Sequence, residues 1–289
     1  MGAEAGVFNL YSQEKLKAAK AIDGTDIEAL SQVKIYTGSW AFSGMPLVHG
    51  YCGSLNCQLN VKRIDDLPVN ESLFDTEILA REAYKYLELT VVNNCDEPVL
   101  DDPFDLTRYS WPNFLAPINW QWLRRGENEW LYFEEQPLAS GPMNVTWIMA
   151  ISDRHYITCG FSIIKSALNS GNPYRIEQSV SSNNFLAFMH KIMDSFEIEL
   201  SSTAKAERER VKLKIPQPFR PIISCTVEQV AIAKQVLHHY SSHGYRNEVE
   251  DPVNGHRADP KDIAAFVDER VKPKPLPGNH LAGSILNEK

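Results

Sequence analysis

The chain has 289 residues, 43% of them hydrophobic, which excludes a wholly disordered protein. Its formal charge of −8 is uneven: residues 1–200 carry 15 basic and 26 acidic side chains (−11), whereas residues 201–289 carry 14 and 11 (+3). An acidic body repels a phosphate backbone, so we expect no nucleic-acid partner for residues 1–200. No apolar run is long enough to predict a membrane span. Five scattered cysteines are typical of reduced thiols and predict a cytoplasmic protein.

The N-terminal half predicts helices and strands in alternation. Residues 13–22 are charged and alanine-rich, which indicates a short surface helix. Apolar residues at 33–42 and alternation at 55–61 predict two strands, each with one face in the core. A helix is predicted at residues 72–85. The alternation at residues 87–93 then predicts a further strand.

Tryptophans mark the centre of the sequence. Five of the six, Trp111, Trp120, Trp122, Trp130 and Trp147, fall between residues 111 and 147. They follow a proline-punctuated loop at residues 95–117, which is too long for an ordinary connection. Residues 118–122 and 130–133 predict strands, and residues 145–151 are apolar on both faces, as in a central strand.

The second half predicts one more strand and several helices. Alternation at residues 157–163 predicts the last long strand, after a tight turn at 152–154. Apolar residues from Phe185 to Phe196 recur at three- and four-residue steps, which predicts an amphipathic helix that covers the sheet. Thr226 and Gln229 are spaced as a capping box at the start of another helix. Asp259 and Pro260 predict the start of the last one.

This order predicts an α+β fold, with a twisted, mainly antiparallel sheet covered by helices and followed by a C-terminal helical extension. We divide the chain into an N-terminal helical segment at 1–30, a core domain at 31–200, a charged, proline-rich linker at 201–224, and a helical arm and tail at 225–289. Charge and proline dominate the linker, so we predict that the core domain folds without the residues after it.

Two groups of residues are candidates for binding. Five carboxylates crowd the long loop at residues 96–105, among them Asp101, Asp102 and Asp105, and could attract a basic partner. The aromatic side chains of Tyr109, Trp111, Trp120 and Trp122 could line an interface or a ligand pocket. Core packing is the commoner role for such a set.

Histidines and cysteines give weaker signals. His239 and His243 lie one helical turn apart and are weak candidates for metal ligands, although histidines at a helix C-terminus also interact favourably with the dipole. His155 and Cys159 share a strand face about 13 Å apart, too far for a catalytic dyad. We therefore assign no metal, no cofactor and no catalytic residue.

The sequence contains no phosphate-binding glycine loop, dinucleotide fingerprint or nucleophile elbow, so it leans away from an enzyme without deciding the question. Our leading hypothesis is a non-enzymatic protein that binds another protein, with a basic protein as one candidate partner, through its acidic body, its aromatic-rich loop or its C-terminal arm. The alternative is a small-molecule-binding protein or enzyme with a pocket in the aromatic segment at residues 109–133. A deep pocket beside a tryptophan with converging polar groups would favour the alternative, and a flat aromatic surface the first.

Overall fold

The computed structural model describes residues 32–44, 50–93, 112–139, 141–167, 172–241, 258–277 and 279–281. In chain order the elements are β1 (Gln32–Ser43), β2 (Tyr51–Arg63), α1 (Thr76–Asn93), β3 (Phe114–Arg125), β4 (Asn128–Pro137), β5 (Met143–Ala150), β6 (His155–Lys165), α2 (Pro173–Ser179), α3 (Asn183–Asp194), α4 (Ser202–Lys214), α5 (Val227–Tyr240), α6 (Pro260–Val271) and β7 (Asn279–His280). The helix predicted at residues 13–22 lies outside the described residues.

All the described strands pair antiparallel in one sheet, in the order β1-β2-β6-β5-β4-β3-β7. The predicted α+β class is therefore confirmed. Successive side chains of a strand point to opposite faces. We call the face that carries Leu55 and Cys57 of β2 the front face, and the face that carries Asn56 and Gln58 the back face.

Helix α3 covers the front face. Phe185, Met189 and Met193 recur at four-residue steps and are buried in the same apolar cluster as Trp147 of β5. The ring of Phe185 also lies 4.3 Å from that of Phe42, centroid to centroid. The amphipathic helix predicted from Phe185 onward is confirmed as the cover of this face.

Helix α1 covers part of the back face. Leu79, Ala83 and Leu87 are buried at four-residue steps, in a cluster with Phe133 of β4. The helix runs on to Asn93, so the strand predicted at residues 87–93 is wrong. The alternation there was too short to separate a strand from a helix whose buried stripe continues to Leu87.

The segment at 201–224 is not an extended linker along its whole length, because helix α4 occupies Ser202–Lys214. After it, α5 begins with the predicted capping box of Thr226 and Gln229. Helices α5 and α6 form a third apolar cluster with Leu115 and Ile118 of β3. Strand β7 then adds to the edge of β3. The extension is thus packed on the sheet, while the independence of residues 31–200 is still only a prediction.

A buried ion cluster joins α6 to the rest of the molecule. The carboxylate of Glu177 on α2 pairs with Lys165 of β6 and lies 2.7 Å from the Arg270 guanidinium of α6. It also accepts bonds of 2.9 and 2.6 Å from the backbone nitrogen and hydroxyl of Ser182. Burial by itself would raise the pKa of the Glu177 carboxyl, but Arg270 and Lys165 together hold it below its usual value.

Candidate ligand-binding site

Trp120 and Trp122 lie inside the back face and have 0% of their surface exposed. Their indole Nε1 atoms both donate to the carbonyl oxygen of Pro221, at 2.9 and 3.2 Å. Trp120 also stacks on Phe133, with ring centroids 5.3 Å apart. In this arrangement neither ring presents a face to a partner protein, so the two tryptophans do not form an exposed aromatic surface.

Several other candidates from the sequence cannot be placed. Asp101, Asp102, Asp105, Tyr109 and Trp111 lie outside the described residues, as does His243. The part of the aromatic segment that the structure describes is therefore β3 and the start of β4. Any site built there depends on Trp120, Trp122 and the residues that follow them.

A cavity of about 550 Å³ lies beside Trp122, and we call it the Trp122 pocket. It opens between the first turn of α1, the turn that joins β3 to β4, and helix α4. Its floor is apolar and consists of Leu73, Leu79, Trp122, Met149, Ala150, Leu200, Val211, Ile215 and Pro218. The volume falls within the range of about 300 to 1,000 Å³ that is usual for small-molecule sites.

Charged side chains line the rim of the Trp122 pocket: Asp75, Arg124, Glu127, Glu129, Arg208, Glu209 and Lys212. Most of the carboxylates have partners. Glu129 lies between Arg124, at 3.1 Å, and Arg220, at 3.0 Å. Glu209 pairs with Lys212 at 2.8 Å. The rim therefore holds charge that is largely neutralised before any ligand arrives.

Arg208 is less well matched than the other rim residues. Its nearest carboxylates, those of Glu127 and Glu209, are each 3.8 Å away, and both of these side chains are exposed. The Nη1 atom donates to the Glu127 carbonyl at 3.4 Å, whereas Nε is buried and makes no hydrogen bond with any described residue. Only 16% of the Arg208 side chain is exposed. A buried N–H without a partner is costly, so this guanidinium is less fully satisfied than those of the paired arginines on the rim.

Helix α4 covers the pocket through few apolar contacts, because only Ala204 and Val211 of its residues are buried. Polar bonds to the β5–β6 turn hold it in place. The Asp153 carboxylate lies 2.5 Å from Arg210, and the Asp153 backbone nitrogen donates to Glu207 at 2.9 Å. Asp153 is itself oriented by the hydroxyl of Ser72, at 2.6 Å.

Sequence reasoning missed Arg208 because the charges of residues 205–214 suggested an exposed linker. The signal that could have identified it is a weak helical stripe: Ala204, Arg208, Val211 and Ile215 are spaced by four, three and four residues, so they share one helix face. Three of the four are small or apolar. The fourth is the arginine that this face turns toward the pocket.

The structure also places the histidines and cysteines that were considered above. His239 lies in the last turn of α5, as predicted. Among the described residues there is no group of three or more side chains suited to hold a metal ion. His155 bonds the hydroxyl of Ser152 at 2.7 Å, and Cys159 is a core residue with its sulfur 3.7 Å from that of Cys57. Cys159 is fully buried and packs in the core.

No family model, curated protein or solved structure matches this chain. Over the described parts of the sequence, no helix combines the length and the apolar character needed to cross a bilayer. What can be inferred about function therefore comes from the geometry of the molecule itself.

Proposed function

We propose that the protein binds an amphipathic small molecule in the Trp122 pocket, with an apolar body on the floor and a carboxylate at Arg208. The observation that carries this proposal is the pairing of a cavity that is both apolar and polar in its lining with a mostly buried guanidinium whose Nε makes no hydrogen bond among the described residues. This is the pocket-binding alternative of the sequence analysis, centred on a residue that the sequence did not identify.

Two contributions favour such a ligand. Each methylene that leaves water for the floor contributes about 0.8 kcal/mol. A carboxylate that accepts from an Nη atom of Arg208 gains a charge-assisted hydrogen bond, which is stronger than a bond between neutral groups. The carboxylates of the rim oppose an anion, but Glu129 and Glu209 are paired with cations at 3.1 Å or less, and Glu127 is 86% exposed and screened by water.

Decanoate and its uncharged counterpart decanol are suitable probes, with anilinonaphthalene sulfonate as the fluorescent reporter that they displace. We expect decanoate to bind the folded protein with one-to-one stoichiometry by calorimetry. Arg208→Met should weaken decanoate roughly tenfold, the loss expected for one hydrogen bond to a charged group. Decanol binding should change little.

Lys205→Met is the matched control, because Lys205 lies on the same helix, is exposed and pairs with Glu199 at 2.8 Å. It should leave decanoate binding unchanged. Ala150→Phe adds a ring at the apolar floor and should abolish the binding of both probes. Binding of decanoate that is equal in the wild-type protein, Arg208→Met and Ala150→Phe would contradict the proposal.

A second candidate function is the binding of a basic protein partner, and the uneven charge of the chain favours it. Residues 1–200 carry a formal charge of −11, and the loop that includes Asp101, Asp102 and Asp105 is its most acidic part. Such charge steers association, and salt screens it over about 8 Å at physiological ionic strength. Changing these three residues to Asn should slow association with a partner and leave fold stability unchanged. An on-rate that ignores both salt and the substitutions would rule this candidate out.

A further inference from the structure

Over the residues that the structure describes, the back face of the sheet has a polar half that helix side chains do not fill, although Tyr86 of α1 lies at its margin. Five polar side chains stand directly beside one another on five adjacent strands: Ser39 of β1, Asn56 of β2, Ser162 of β6, Asn144 of β5 and Glu135 of β4. We call this set the polar row. At a strand spacing of about 4.8 Å, the row is roughly 19 Å long.

The members of the polar row orient one another. The Ser39 hydroxyl donates to Asn56 at 2.7 Å, and the Ser162 hydroxyl donates to Asn144 at 3.0 Å. The amide of Asn144 donates in turn to Glu135 at 3.4 Å. These bonds fix the amides and still leave hydrogen-bonding capacity, because an amide offers two N–H groups and two lone pairs, and a hydroxyl both donates and accepts.

A glycine makes room next to the row. The neighbouring positions on β2, β6 and β5 are Gln58, Gly160 and Thr146. A Cβ atom added at Gly160 would meet only the Gln58 carbonyl oxygen, at 3.9 Å. The missing side chain therefore leaves a depression, which has a volume of about 600 Å³ and is walled on one side by Tyr86 of α1.

The lining of this depression is nearly free of ionic charge. Its described lining residues include no lysine or arginine, and Glu135 is the one with a carboxyl group. Glu135 is 3% exposed, and burial raises its pKa, which the bond from Asn144 partly offsets. The lining therefore offers no positive charge to a strongly anionic ligand. An apolar ligand would remove water from the row of amides without replacing the hydrogen bonds to that water.

The geometry does not favour an acid–base site. Lys62 of β2, on the same face, stands over the ring of Tyr86, 3.3 Å from its centroid. Lys62 is opposite Tyr156 on β6, whereas Glu135 is aligned with Ser162 through Asn144. Tyr156 and Ser162 are six residues apart on β6, so the levels of Lys62 and Glu135 along the strands differ by about 20 Å. Glu135 and Lys62 thus cannot act on the same atom.

We infer that the polar row and the notch at Gly160 form a binding site for an uncharged, polyhydroxylated ligand, a short neutral oligosaccharide. Each sugar hydroxyl both donates and accepts, which matches a row of oriented amides and hydroxyls. A peptide strand is recognised instead along a sheet edge, through backbone bonds and apolar side-chain pockets, and this face offers neither. The site is separate from the Trp122 pocket and does not depend on its function.

The test uses the full-length protein and a panel of neutral disaccharides built from glucose, galactose and mannose, with glucuronate as an acidic comparison. Ligand-observed NMR at millimolar concentration and calorimetry report binding. We expect at least one neutral disaccharide to bind and to shift the side-chain amide signals of Asn56 and Asn144. Glucuronate should bind more weakly than the neutral disaccharides built from glucose.

Gly160→Val is the decisive variant, because it fills the notch at a position where a Cβ meets no close neighbour. It should abolish saccharide binding and leave the melting temperature equal or higher, since valine favours strands more than glycine does. Gly50→Val is the matched control, since a Cβ there meets nothing within 4 Å and the residue lies outside the depression. Binding should survive this change.

Asn56→Ala gives an independent check on the chemistry and should weaken binding roughly two- to tenfold, the cost of one neutral hydrogen bond. The proposal is overturned if no neutral disaccharide binds the wild-type protein. It is also overturned if binding is unaffected by Gly160→Val, or if a peptide binds this face and the saccharides do not.

Discussion

Helices α4 and α6 both follow Leu200, in the part of the chain that carries a formal charge of +3, yet charge attaches them to the sheet in different ways. α6 is anchored through Arg270, 8% exposed, to the carboxylate of Glu177, 17% exposed. α4 is anchored through Arg210, 63% exposed, to Asp153. Breaking a buried pair leaves an uncompensated charge in the interior, whereas water replaces the partner of an exposed one.

The apolar packing of the two helices also differs, and again α6 is the more firmly buried helix. α6 buries Ile263 and Val267 in a cluster that extends to Leu115 and Ile118 of β3. α4 buries only Ala204 and Val211. This difference indicates that α6 is part of the core of the molecule, whereas α4 covers a cavity. Helices of similar length can therefore have unequal shares in stability.

The largest effect should follow from removing both helices. A chain that ends at Leu200 loses α4, α5, α6 and β7, and it uncovers Leu115, Ile118 and the two buried tryptophans at Pro221. In contrast to the expectation from the sequence, the packing leads us to expect that this fragment shows no cooperative thermal unfolding by circular dichroism. A chain that ends at Leu281 keeps every described element and should unfold cooperatively. A cooperative fragment 1–200 would support the division that the sequence predicts.

Glu177→Gln should have the next largest effect, because it keeps the shape of the side chain but leaves Lys165 and Arg270 facing each other without a carboxylate. The expected loss is about 3 to 5 kcal/mol in the free energy of unfolding, the usual cost of breaking a buried pair. Urea denaturation would measure it. A loss below about 1 kcal/mol would mean that water reaches this cluster and that α6 is held by its apolar contacts alone.

His190 on α3 predicts a pH dependence. It is 7% exposed, and burial, with Arg125 beside it, lowers its pKa to about 4, although Asp194 opposes the shift. The unfolded chain, with a pKa near 6.5, binds the proton first as the pH falls, so stability should decrease from about pH 6.5 to about pH 4. The loss attributable to this residue is roughly 3 kcal/mol at most.

The measurement compares the wild-type protein with His190→Gln, which cannot take up a proton in this range. Urea midpoints at steps between pH 7 and pH 4 give the difference in stability between them. The wild-type protein should lose stability relative to the variant as the pH falls. Parallel curves would show that His190 titrates alike in the folded and unfolded chains.

The smallest effect should come from Arg210→Ala. The pair with Asp153 is exposed on the arginine side, so we expect a loss of at most about 1 kcal/mol, and less at high salt. Thermal unfolding at low and high ionic strength would measure it. A loss as large as that of Glu177→Gln, insensitive to salt, would mean that the two helices are attached alike.

Local patterns in the sequence were enough to predict most of the sheet and its main helices. The alternation at residues 55–61, the stripe that includes Phe185 and Met189, and the capping box at Thr226 all depend on spacings of a few residues, which burial and hydrogen bonding impose directly. The fold class followed from their order. The end of α1 could not be predicted from these patterns, because Leu87 fits both a helical and an alternating pattern.

The candidate sites could not be predicted in the same way, because their members meet only through pairing in three dimensions. Ser39 and Glu135 lie at the two ends of the polar row, with three strands between them. Their alignment depends on the register of every strand pair in between. Arg208 lies at the Trp122 pocket only because α4 packs beside the β3–β4 and β5–β6 turns. In the sequence these residues are ordinary surface residue types.

The shared carbonyl of Pro221 has a consequence for the order in which the molecule is made. Trp120 and Trp122 lie 101 and 99 residues before the atom that accepts from their indoles. Synthesis runs from the N-terminus at roughly 5 to 20 residues per second, so β3 waits several seconds for this acceptor. During that interval the two indole N–H groups lack the acceptor that they have in the folded chain.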